Sequence, residues 1–231
     1  MSQTAAAESQ AIPAPKGATP PRTEAVTLSA AVRRLGFWSA VAMVTTYLIF
    51  LVSAVGTLTG ALGAPLNAYI PYGASMLIAP SFILLVISIH HSAPEAKRVW
   101  SHAAIAFATL YAAFVSIVYV TWLFVVEPHI MNHTESQVAL LSNQTGSFME
   151  LVDGLGYTYM GFAVCLTAPV FAGGRLAAWT RWLAIANGPA ALMILASYVS
   201  QWIPLGVPGT MLVLVYGVLV AIYFSRAGRR A

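Results

Sequence analysis

The chain has 231 residues, 59% of them hydrophobic and only 8% charged, whereas about a quarter of an ordinary soluble domain is charged. That composition excludes a water-soluble globule and makes lipid the solvent for most of the chain. The net charge of +4 does not mark a nucleic-acid partner, because each Lys and Arg falls at a membrane border or in a tail, where it orients helices and meets anionic lipid.

Residues 1–27 are rich in Ala, Pro, Ser and Thr without apolar periodicity, a composition that cannot offset the entropy of ordering. They predict a disordered cytoplasmic tail over 1–30, ahead of a transmembrane domain over 31–231. Arg33-Arg34 precedes an apolar run long enough to span and without a clear small-residue cleavage site, so the first run reads as a retained helix and not a cleaved signal.

A helix needs about 20 apolar residues to cross the hydrocarbon core. Six windows meet this, at 35–58, 68–90, 101–126, 150–172, 180–203 and 207–225. The expected fold is all-α, a bundle of six membrane helices. Lys16, Arg22, Arg33 and Arg34 precede the first span, Lys97 and Arg98 separate the second and third, Arg175 and Arg181 flank the gap between fourth and fifth, and Arg226, Arg229 and Arg230 follow the sixth. The other gaps contain no Lys or Arg. Basic short loops stay cytoplasmic, which predicts both termini inside. Trp38, Trp100, Trp179 and Trp182 then fall at inner ends and Trp122 and Trp202 near outer ends, the headgroup level that tryptophan favours.

Small residues at every fourth position let membrane helices approach closely. Ala104, Ala108, Ala112 and Ser116 make such a stripe in the third span, which places that helix at the centre of the bundle. Ala184, Gly188, Leu192 and Ala196 in the fifth, and Gly154, Gly156 and Gly161 in the fourth, offer further seams. Pro80, Pro169 and Pro189 interrupt the second, fourth and fifth spans. Each removes a backbone donor and frees the carbonyl four residues earlier. Such backbone is tolerated at depth where a neighbour or a watered cavity satisfies it. Asn187 and Gly188 beside Pro189, with Pro80 and Ser81 opposite, are therefore candidate cavity residues. Spans two and five are the middle helices of two three-helix halves, the layout of an inverted repeat.

The outer loop at 127–148 contains Glu127, His129, His133 and Glu135. On a helical turn the two imidazoles would share a face at i, i+4 with a carboxylate nearby, a set that suits zinc or copper. Glu150 and Asp153 stand three apart at the start of the fourth span with Tyr157 one turn deeper. They would favour the helix N-terminus, or form a cation or proton site at the membrane lip. His90, His91 and His102 gather at the second inner loop, where haem ligation is conceivable; otherwise the sequence specifies no cofactor. The lone Cys165 excludes an intramolecular disulfide and reads as a packing residue. H-E-x-x-H, G-x-S-x-G and C-x-x-C are all missing, so the corresponding proteolytic, esterolytic and disulfide-exchange chemistries lack their groups.

From His90 onward, Ser92-Ala93-Pro94-Glu95, Trp100, Leu155-Gly156-Tyr157-Thr158-Tyr159-Met160-Gly161, Ala168-Pro169-Val170-Phe171 and the stretch from Trp182 to Gly188 resemble a group of uncharacterised prokaryotic six-span membrane proteins. The resemblance implies a cytoplasmic (inner) membrane location and carries no activity. The sequence thus points to a non-catalytic membrane protein that binds a small or apolar ligand, a lipid, or a partner protein or second copy. A small-solute transporter with a cavity between spans two, four and five comes next, and an outer-face metal protein or enzyme third.

Overall fold

Hydroxyl side chains show how this chain satisfies its polar groups away from water: Thr46, Thr57, Ser81, Ser88, Thr109 and Thr158 each bond a carbonyl four residues back in their own helix. With no water at depth, a polar side chain is satisfied within its own segment. The computed structural model describes residues 28–227, and among them the chain is all-α. The helices are α1 (Ala30–Leu58), α2 (Leu66–Ser92), α3 (Arg98–Thr121), α4 (Glu127–Met131), α5 (Phe148–Thr167), α6 (Gly174–Ser200) and α7 (Val207–Ala227). Six helical segments are long and apolar enough to cross a membrane, with α3 and α4 forming one of them. Of the tail expected over 1–30, residues 1–27 lie outside the described residues.

Local chemistry sets the ends. Ser29 caps α1 by accepting from the Val32 amide at 3.2 Å, which starts that helix five residues before the apolar window. Ser147 caps α5 through the Glu150 amide at 3.1 Å. Pro169 does not interrupt the interior of the fourth span's helix but ends it. It lies in a 3-10 turn, Ala168–Val170, that ends α5, and Gly173 and Gly174 follow with φ of 78° and 74°, a left-handed conformation that glycine adopts without strain. Between α3 and α4 the chain makes a π-helical turn, Trp122–Val126.

Each long helix packs against its neighbours in sequence, and α7 closes on α1, so the six spans form a ring. The third span is not the most enclosed. Of the apolar window of each span, 56% is buried in the fourth and 33% in the third. Two glycines explain this. A Cβ on Gly161 would stand 2.6 Å from the Ala191 methyl, and one on Gly154 would stand 2.5 Å from the Tyr198 ring, so α5 and α6 touch nearly backbone to backbone. The inward row of α3 runs through Ser101, Ala104, Ala108, Tyr111, Val115 and Val118, alternating steps of three and four. A strict fourth-residue stripe drifts about 40° per step around a helix of 3.6 residues per turn, which is why Ala112 and Ser116 leave the seam.

Large apolar side chains such as Val52, Leu77, Ile117, Leu192 and Val199 face outward, as contact with lipid requires. Trp38, Trp100, Trp179, Trp182 and Trp202 are likewise exposed near helix ends. Trp122 differs: the π turn carries it against Tyr72, ring centroids 5.0 Å apart, with its indole nitrogen buried.

Candidate functional site

The end of the bundle that joins α1 to α2, α3 and α4 to α5, and α6 to α7 holds Glu127, Glu135, Glu150 and Asp153. Among the described residues every Lys and Arg lies toward the opposite end. At the acidic end, a cavity of about 320 Å³ opens between α1, α5, α6 and α7. Tyr47 and Phe50 come from α1, Glu150, Tyr157 and Met160 from α5, Ile194, Ser197 and Tyr198 from α6, and Thr210 and Val213 from α7. Gln201, Ile203 and Val207 are exposed members of the same wall and mark its mouth.

Glu150 is held at the rim from two sides. Its Oε2 accepts from the Gly146 amide and from Gln201 Nε2, the latter at 3.0 Å. Gln201 reaches it because this residue ends α6 in the left-handed conformation, φ 57°, and its amide also donates to the Tyr198 carbonyl at 2.6 Å. Glu150 therefore joins the start of α5 to the end of α6, and the α5 N-terminal dipole favours its charge.

Behind this wall lies a carboxyl group removed from water. Asp153 is 5% exposed. The Tyr198 hydroxyl donates to its Oδ2 at 3.0 Å, while Oδ1 is buried without a partner. Gly154 provides the seat on which the Tyr198 ring lies, so the glycine that brings α5 against α6 also aims the phenol at the adjacent carboxylate. Tyr119 and Tyr157 share a hydroxyl bond of 2.8 Å. The Tyr111 ring meets Tyr157, and the Tyr72 ring meets Tyr119, both with centroids 5.7 Å apart. The result is a layer of phenols around one buried acid.

Of the residues singled out in the sequence, Glu150 and Tyr157 line the cavity and Asp153 lies beside it. The Asn187 group stands elsewhere. Asn187 is buried, its Nδ2 donating to the Leu183 carbonyl at 2.8 Å and its Oδ1 unpartnered. Cys165, across on α5, meets the Ile185 carbonyl that Pro189 frees, with sulfur and oxygen 3.8 Å apart, and Gly188 packs against the same sulfur. Pro80 and Pro189 are exposed on the outer surface, and Ser81 bonds its own helix at Leu77. None of these lines the cavity, which lies between spans one, four, five and six instead of two, four and five. Because Leu183 has the Asn187 amide as its ladder partner, Asn187→Ala orphans no group. It should shift stability by less than about 1 kcal/mol, read as an almost unchanged melting curve in detergent.

The helical turn required for a His129 and His133 pair does not form. α4 stops at Met131, and His133 takes the left-handed conformation with φ 55°, so the two residues are not successive turns of one helix face. His129 Nδ1 bonds the Val125 carbonyl at 2.7 Å, Glu127 is buried, and Glu135 is exposed. Among the described residues no three His, Cys, Asp or Glu side chains gather around a metal position. At the basic end, His90 bonds Ser101 at 2.8 Å and lies against the His102 ring with centroids 4.2 Å apart, ring contacts and not convergent ligation.

Tyr47, Tyr119 and Tyr198 went unmarked in the sequence. The available signal was depth: these tyrosines, with Tyr157, fall within the acidic-end halves of their spans and not only at the headgroups, where the ring and hydroxyl are usually parted between lipid and water.

Lipid-facing apolar helices around a buried polar layer define a polytopic α-helical membrane protein. No protein-family model, no curated protein and no solved structure matches the chain.

Proposed function

We propose that this protein binds a small, partly polar ligand in the cavity between α1, α5, α6 and α7, without catalysis, in a cytoplasmic membrane and with both termini inside. The observation that carries the reading is the wall itself: aromatic and aliphatic faces with a few convergent polar groups, Glu150, Ser197 and Thr210 among them. Ligand sites are built in this way, mostly apolar with a small number of placed polar atoms. Filling the space tests it. Thr210→Phe should abolish the thermal stabilisation that any bound fragment gives the purified protein, while Ile117→Phe on the exposed face of α3 should leave it intact. Ligand stabilisation that survives Thr210→Phe would place binding outside this cavity.

Transport through the same cavity is the second reading, favoured by Asp153. A carboxyl group within a span is costly and commonly belongs to an ion or proton path, and this one has an oxygen without a partner. Proteoliposome uptake of any ligand found, lost in Asp153→Asn with binding retained, would separate transport from binding alone. The partition of basic residues supports the orientation. With Cys165 replaced by Ala, a cysteine at the exposed position Gln144 should react with an impermeant thiol reagent added to whole cells, and one at exposed Glu95 should not. The reverse pattern would invert the protein.

A further inference from the structure

We infer that the ligand of this cavity is a free organic amine, bound as its ammonium ion. The inference rests on the cavity reading above and narrows it to one chemical class. The wall carries one formal charge, Glu150, and no Lys, Arg or His. Both hydrogen bonds to the Glu150 carboxylate fall on Oε2, so Oε1 remains for an N–H donor. Tyr47, Phe50, Tyr157 and Tyr198 bring four aromatic rings to the same wall, and the negative ring face attracts a cation, more strongly where water is excluded. Met160 and Ile194 supply apolar surface deeper in for the body of the molecule. The surroundings agree in sign: this end of the bundle has carboxylates and, among the described residues, no Lys or Arg, and a field of one sign raises the local concentration of the opposite ion.

The same absence of Lys and Arg argues against a phospholipid headgroup as the source of the ammonium group, since its phosphate would meet carboxylates here and, among the described residues, no Lys or Arg. A carboxylate ligand would be repelled by Glu150. A neutral alcohol of equal shape would keep the apolar contacts and lose the ion pair.

Equilibrium binding of radiolabelled benzylamine, benzyl alcohol and benzoate to the full-length protein in phosphatidylglycerol vesicles tests this. Partitioning into lipid is the part of each signal that survives Thr210→Phe. Benzylamine should bind at least about tenfold tighter than benzyl alcohol, the order expected for a charge-assisted hydrogen bond, and benzoate should not bind. Glu150→Gln should reduce the amine to the affinity of the alcohol, and Glu150→Asp should restore part of the preference if the carboxylate acts directly. Adding phosphatidylethanolamine should not displace benzylamine, and displacement would reassign the site to a lipid headgroup. Equal binding of amine and alcohol, or an amine preference that persists in Glu150→Gln, would overturn the amine assignment. If the alcohol signal in that case still vanished in Thr210→Phe, the cavity reading would stand. Absence of benzylamine binding would also overturn the assignment.

Discussion

Gly161→Ala should destabilise the protein by about 1–3 kcal/mol, the range for overpacking a close contact, and Ala191→Gly should recover most of the loss. The added methyl would stand 2.6 Å from the Ala191 Cβ, while the next atoms, the Asn187 carbonyl oxygen and the Ala191 Cα, are at 3.2 and 3.3 Å. Removing one methyl from the partner therefore reopens the space. The measurement is reversible unfolding in mixed detergent and lipid micelles for the two single variants and the double. A double variant no more stable than Gly161→Ala would mean that α5 and α6 do not meet at this pair, and the seat of Tyr198 about two turns away would lose its support as well.

Breaking the one hydrogen bond made to the buried acid has a comparable effect. Tyr198→Phe should cost about 1–3 kcal/mol, because it leaves the Asp153 carboxyl group without a donor in a place water does not reach. Asp153→Leu alone orphans the Tyr198 hydroxyl instead. With both changed, no polar group remains to be satisfied, and replacing both partners of a buried polar pair is often nearly neutral. The double variant should thus be more stable than the sum of the single losses predicts, by a coupling of at least about 1 kcal/mol. Strict additivity would show that the 3.0 Å contact between these groups contributes nothing.

The spans themselves were legible because crossing a membrane is a requirement on length and hydropathy along the chain, both one-dimensional properties. The window 35–58 ends where α1 ends, at Leu58, and the fourth window opens at Glu150, in the first turn after the cap that Ser147 supplies. Glu150, Asp153 and Tyr157 could be grouped from spacing alone, since all three belong to one helix. Asn187 was a reasonable expectation on the same local grounds, from its place beside Pro189. Its actual environment depends on Cys165 and Gly161 of another helix, and no spacing within α6 contains that information.

What the sequence alone determined was therefore the set of spans and the charge difference between their two ends. The tertiary structure decided which face of each helix turns inward, that α5 and not α3 is the most enclosed, and that Tyr47, Tyr157 and Tyr198 line one cavity with Glu150. The reason is physical. Lipid tails and protein interior are equally apolar, so a membrane helix shows little of the amphipathic contrast by which a soluble helix reveals its buried face. Facing is set by close packing at small residues, Gly154 under Tyr198 and Gly161 against Ala191, and such complementarity exists only between helices once they are brought together.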